Sequence, residues 1–146
     1  MKIRLVWVGR TKERFIDEGI KKYLRLIKPF GHVSVVEIKE EKGKDTQRMV
    51  ETESQRISKL RMPYVLLDEK GKGFSSVEFA DFIAGHSPMM TFVIGGAYGV
   101  SEGVRDAAES KLALSKMTLT HEMARLFLVE QIYRAFTIMH KRGYHH

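Results

Sequence analysis

Apolar positions along the chain switch repeatedly between two periods. Residues 2–8 (KIRLVWV) are dense in apolar and β-branched types and predict a strand. Phe15, Ile16, Ile20, Tyr23, Leu24 and Ile27 then recur at helical spacing over residues 12–28, and Pro29 follows the end of that helix. Residues 33–38 (VSVVEI) predict a second strand, less buried than the others because polar residues partly alternate. A charged loop, residues 39–45 (KEEKGKD), leads into a mostly polar and therefore exposed helix from Thr46 to about Leu60, broken by Pro63. Tyr64 to Leu67 reads as a short buried strand, and Asp68 to Phe74 as a loop rich in Gly and Lys. Ser75 and Glu78 form a capping box for a helix to about Ala84. Thr91 to Ile94 is a fourth strand, Gly95 to Gly99 a loop, and Ser101 the N-cap of a helix to about Ser110. Lys111 to Leu114 is a short fifth strand; a loop over 115–120 then opens a long helix from His121 to about Lys141.

Strands that alternate with helices predict an α/β fold: a mostly parallel sheet of five to six strands with helices on both faces. One domain over residues 1–146 accommodates it. The last helix departs from the usual surface helix. Met123, Ala124, Leu126 to Val129, Ile132, Tyr133, Ala135, Phe136, Ile138 and Met139 leave it only a narrow polar strip. A helix apolar nearly all round needs two covers. The sheet supplies one, and a second copy of the chain is expected to supply the other, in a homodimer.

The composition excludes several classes. The chain has no cysteine, hence no disulfide framework, zinc ribbon or thiol nucleophile. No apolar run approaches the ~18 residues of a membrane span, and the opening Met1-Lys2-Ile3-Arg4-Leu5 lacks the layout of a signal peptide. A cytoplasmic protein with no membrane partner is expected. The net charge of +7 is uneven: residues 1–30 carry nine basic and three acidic side chains, residues 31–120 twelve and thirteen, and residues 121–146 four and two. A localised positive field attracts polyanions, of which RNA suits a cytosolic protein. Asp17 and Glu18 stand i,i+4 to Lys21 and Lys22. Arg14, Lys21, Arg25 and Lys28 share another face read as free of acidic partners, and with Arg125 they are the candidate RNA contacts.

Ligands of open α/β sheets bind beyond the carboxyl ends of the strands. The first strand is followed by Gly9-Arg10-Thr11, without G-x-G-x-x-G, which disfavours an ordinary dinucleotide site. Gly71-Lys72-Gly73 lacks the spacing of a P-loop, and no His/Asp cluster marks a metal site. Two loops remain. Gly95-Gly96-x-x-Gly99 alone is compatible with a tight turn that needs positive φ. Residues 114–121 (LSKMTLTH) offer small hydroxyl side chains and accessible backbone, with Thr120 as an N-cap. They follow neighbouring strand ends. Together they suit an adenine edge read by backbone pairing, with an apolar wall from Leu67, Met117 and Leu119.

These segments carry a resemblance. F-V-I-G-G-A-Y-G (92–99), L-S-K-M-T-L-T-H (114–121), V-E-Q-I-Y-R-A-F (129–136) and the terminal Gly143-Tyr144-His145-His146 resemble the RlmH methyltransferases, small members of the SPOUT superfamily. The likeness extends over nearly the whole chain and includes the opening K-I-R-L-V-W-V-G-R-T-K. It implies a C-terminal trefoil knot, a homodimer and S-adenosyl-L-methionine as methyl donor. It implies N3 methylation of a pseudouridine in the intersubunit stem-loop of 23S rRNA, in the assembled ribosome. The family's cofactor positions fall on Leu67, Gly96, Ser115, Lys116, Met117, Thr118, Leu119 and Thr120. Many members have Pro before the terminal Tyr-His, where this chain has Gly143.

Removal of the N3 proton calls for a base, or for a cation beside the uracil carbonyls. Tyr144, His145 and Arg134 are the catalytic candidates, with His121, Arg125 and Glu130 behind them. Two other readings stay open: a SPOUT enzyme acting on tRNA or on a ribose position, and a non-catalytic RNA-binding assembly factor.

Overall fold

Five strands and five helices alternate along the chain: β1 (Lys2–Val8), α1 (Arg14–Ile27), β2 (His32–Ile38), α2 (Thr46–Ser58), β3 (Val65–Gly73), α3 (Ser76–Ala84), β4 (Met89–Ile94), α4 (Glu102–Ala107), β5 (Ser110–Ala113) and α5 (His121–Met139). The computed structural model describes residues 1–141 and 143–145; His146 of the terminal motif lies outside the described residues. The strands form one parallel sheet in the order β2-β1-β4-β3-β5. Every strand therefore delivers its following loop to the same edge.

Both faces of the sheet are covered, which is why the strands read as nearly unbroken apolar runs. Ile3, Leu5 and Trp7 of β1, with Phe92 and Ile94 of β4, pack under α1, α3 and α5. Val6, Val8, Leu66 and Val93 point the other way, to Ile57 of α2 and Val104 of α4. The expected N-caps form: Ser75 closes its capping box with Glu78, Ser101 accepts from Val104 N–H, and Thr120 accepts from Met123 N–H.

Four expectations are corrected. Residues 68–73 are strand, not loop, because β3 continues past a bulge between Leu67 and Lys72 and pairs with β5. Gly71 makes this possible: a Cβ there would lie 2.6 Å from the backbone of Lys111. The polar helix α2 is not merely exposed, since Glu53, Ser54 and Ile57 are buried. Arg125 is wholly buried and so no surface contact for RNA. Its guanidinium donates to the carbonyls of Val8 and Gly9 and to Thr11 Oγ1, and lies 5.0 Å from the Trp7 ring. On α1, Arg14 and Lys21 are not free of acidic partners, because they pair with Glu18 and Asp17.

Candidate functional site

A cavity of about 660 Å³ opens at the carboxyl edge of the sheet. That lies within the range of ~300–1,000 Å³ typical of small-molecule sites. Three stretches of sequence contribute most of it: β3 around Leu67, the glycine turn after β4, and the loop from β5 into α5. Leu67, Gly96, Ser115, Met117, Thr118, Leu119 and Thr120 all line it. Lys116 does not: it is exposed on the same loop. The glycine turn follows a different logic from the expected one. Of its glycines only Gly99 has positive φ, at +82°. Gly95 is required by close approach, since a Cβ would sit 2.9 Å from Val100 and 3.0 Å from the Gly99 backbone.

The cavity wall also carries Asp68, Glu69 and Arg105, which the motifs did not single out. Arg105 of α4 meets Asp68 at 2.9 Å. Desolvation pushes the Asp68 carboxyl up, but hydrogen bonds from Lys70 N–H and the Arg105 guanidinium outweigh it and hold it below the usual range. Thr118 donates to Glu69 at 2.9 Å and so ties the α5 loop to β3. His121 faces the same space, and burial together with the nearby Arg125 lowers its pKa, keeping the ring neutral at pH 7.

Beneath these groups the start of α5 is fastened to the start of α1. Glu122 accepts from Lys12 N–H and Glu13 N–H, capping a helix whose own N-cap residue makes no side-chain bond. Burial raises the Glu122 carboxyl, but those two donors dominate and leave it below its ordinary value. Arg125, one turn on, holds the carbonyls at the end of β1. The pocket loop is thus anchored at its α5 end.

The catalytic candidates gather elsewhere. Tyr144 donates to Glu130 at 3.2 Å, its ring lies edge-on to Tyr133, and the Arg134 guanidinium sits 4.8 Å over it. Arg134 pairs with Glu130 at 2.6 Å and donates to His145 Nδ1 at 3.1 Å. Burial and the neighbouring Tyr23 and Glu130 raise the Tyr144 pKa strongly, so the phenol stays protonated at neutral pH. None of these residues lines the cavity. Arg134 is thirteen residues beyond His121 on α5, about 20 Å along the axis at 1.5 Å per residue.

Among the described residues no group of three or more His, Asp or Glu converges as a metal site. No helix among them is long and apolar enough to cross a membrane.

Comparison with known proteins agrees with this geometry. A family model described as "Predicted SPOUT methyltransferase" matches residues 1–145. The chain is 47% identical over 146 residues to ribosomal RNA large subunit methyltransferase H of Thermodesulfovibrio yellowstonii, covering 99% of both chains. It is 44% identical to the protein of the same name from Geotalea uraniireducens, over the full length of both. A methylase-family protein from Haemophilus influenzae shares the fold at TM-score 0.56 and 12% identity, over 99% of this chain and 70% of that one. So does a methyltransferase-fold protein from Legionella pneumophila solved with the bound cofactor SAM, at TM-score 0.52 and 14% identity, over 92% of this chain and 66% of that one. The chain belongs to the SPOUT methyltransferase family, with the ribosomal RNA large subunit methyltransferase H proteins as its full-length relatives.

Proposed function

We propose that the protein methylates N3 of a pseudouridine in the intersubunit stem-loop of 23S rRNA, on the assembled ribosome in the cytoplasm, with S-adenosyl-L-methionine as donor. The observation that carries this reading is the convergence of Leu67, Gly96 and the 115–120 loop on one cavity. The cavity suits the donor: its walls are apolar at Leu67, Met117 and Leu119, and its loops offer backbone groups for an adenine edge. The donor, when bound, supplies an electrophilic methyl group. The chain holds donor and nucleobase in contact, which is a large part of catalysing an in-line displacement.

The tail supplies the rest. The Arg134 guanidinium is positioned by Glu130, and it fixes His145 through Nδ1, leaving Nε2 free to face a substrate. A cation and an N–H donor so placed stabilise the negative charge that spreads onto a uracil carbonyl as the N3 proton leaves. The protonated Tyr144 is a donor in this group rather than a base. Because Arg134, which holds the tail, lies about 15 Å along α5 from Ala124, the last α5 residue to line the cavity, we infer a homodimer in which the tail of one copy closes the cavity of the other. Phe15, Met117 and Met123, 62%, 79% and 38% exposed, supply apolar surface for that contact. The placement of β3 between β4 and β5 is compatible with the trefoil knot of the superfamily, and we propose that the chain has it.

The test is transfer of label from S-adenosyl-L-methionine to whole ribosomes, free subunits or bulk tRNA. Methylpseudouridine in 23S rRNA, from assembled ribosomes only, is the expected result. Label in tRNA keeps fold and donor and refutes the substrate. Removing residues 143–146 is expected to abolish transfer while leaving donor affinity unchanged by calorimetry; full activity of that truncation refutes the role of the tail.

A further inference from the structure

Residues 31–120 are nearly neutral by count, yet one stretch of them presents a surface on which unpaired cations predominate. The loop between β2 and α2, residues 39–45, follows β2 at the same edge of the sheet as the cavity. Each of its acidic residues is engaged by a partner, Glu40 and Glu41 half-buried and Asp45 exposed. Glu40 pairs with Lys12 at 3.0 Å, and Glu41 pairs with Arg56 at 2.9 Å. Asp45 accepts from Arg48 N–H as the N-cap of α2. Lys39, Lys42, Lys44 and Arg48 are exposed, as is Arg10 on the neighbouring loop after β1, and none forms an ion pair among the described residues. Glu51, further along α2, is the one exposed carboxylate of that helix without an ion pair among the described residues.

The loop is built to hold this face outward. Gly9 N–H donates to Ile38 carbonyl at 2.7 Å, and Arg56 donates to Lys39 carbonyl at 2.8 Å. The buried Glu53 accepts from Glu41 N–H at 2.9 Å. The same helix touches the cavity: a Cβ on Gly96 would lie 3.3 Å from Glu53 Oε1, and Ser54 accepts from Ser101 N–H. At the tip, Gly43 has φ +146° and nothing within 4 Å of its Cβ position, so a ligand can approach the backbone itself. Residues 39–48 contain no apolar side chain, unlike a segment that enters a lipid interface.

We propose that Arg10, Lys39, Lys42, Lys44 and Arg48 form a phosphate-binding ridge that grips the backbone of the RNA substrate beside the cavity. The cavity wall itself is lined by Asp68 and Glu69, with Arg105 already paired. Ridge and cavity therefore divide the labour: cations outside hold phosphates, and the pocket takes the donor and the base. This inference rests on the proposed RNA substrate.

The test compares wild type with the triple variant K42Q/K44Q/R48Q, all three side chains being exposed. Steady-state methylation of ribosomes is measured from low to moderate salt, with donor affinity by calorimetry. Expected are a rise in KM for ribosomes of about tenfold or more, an unchanged kcat and donor affinity, and a salt slope of log KM shallower by about two to three. The control K59Q/R61Q, at the opposite edge of the sheet, is expected to behave as wild type. An unchanged KM in the triple variant overturns the ridge while wild-type activity upholds the proposed substrate. A raised KM with an unchanged salt slope assigns the loop to a protein contact and also overturns it. Wild type inactive on ribosomes counts against the substrate, and if the triple variant also leaves salt-dependent binding to 23S rRNA intact in a filter assay, the ridge falls on its own account.

Discussion

Glu53 shows how a single side chain can carry two duties. It is 7% exposed, and its carboxylate holds the 39–45 loop through Glu41 N–H while lying under the glycine turn of the cavity. Burial raises its pKa above the ordinary glutamate range of roughly 4 to 5. A carboxyl raised on folding contributes stability at low pH that is lost as pH rises through the folded value. Glu53→Gln keeps an acceptor of the same shape and removes the charge. It is expected to raise Tm at pH 7 by about 2–4 °C and to leave Tm at pH 4 unchanged in a thermal scan. A lower Tm at pH 7 would show that the charge itself is needed by the loop. Nothing in the polar reading of residues 46–60 distinguishes Glu53 from Glu51, its exposed neighbour. Arg125 was equally opaque. An arginine in a helix reads as surface, whereas here three acceptors at the end of β1 and the Trp7 ring receive it. Burial of a polar residue is decided by partners distant in sequence, and local pattern carries no trace of them.

Elements were far more legible than single side chains. The caps at Ser75, Ser101 and Thr120 act within three residues, so sequence alone exposes them. The extension of β3 was hidden because Gly-Lys-Gly signals a loop, and only pairing with β5 makes a strand of it. The cavity was legible through its loops, whereas the Asp68–Arg105 and Thr118–Glu69 contacts join residues 37 and 49 positions apart. α5 belongs to this scale too. Leu128, Val129, Ile132, Ala135 and Phe136 are buried in a single copy, and Met123 remains 38% exposed. Glu122 fastens the start of α5 to that of α1, so Met123 and Phe15 stand at the same end of the helix pair. The double variant F15E/M123E is expected to keep its circular dichroism spectrum and to run as a monomer by light scattering at micromolar concentration. A dimer of unchanged mass would move the proposed interface elsewhere.

At the scale of the whole molecule, the separation of tail and cavity makes a test of assembly. A chain lacking residues 143–146 keeps its cavity, and a chain with Leu119→Arg, whose cavity is filled, keeps its tail. Each alone is expected to be inactive. A two-fold dimer of one of each holds one intact site, so random mixing is expected to restore about a quarter of wild-type transfer. No recovery after verified subunit exchange would place tail and cavity in the same copy.

The order of the elements also bears on synthesis. The sheet face formed by Ile3, Leu5, Trp7, Phe92 and Ile94 is finished once β4 has been made, but part of its cover, α5, is translated after every strand. Until then a nascent chain has that face only partly covered, by α1 and α3. Final closure of the core therefore waits for α5, and the interval before α5 emerges is when the chain is most open to aggregation and most dependent on a chaperone.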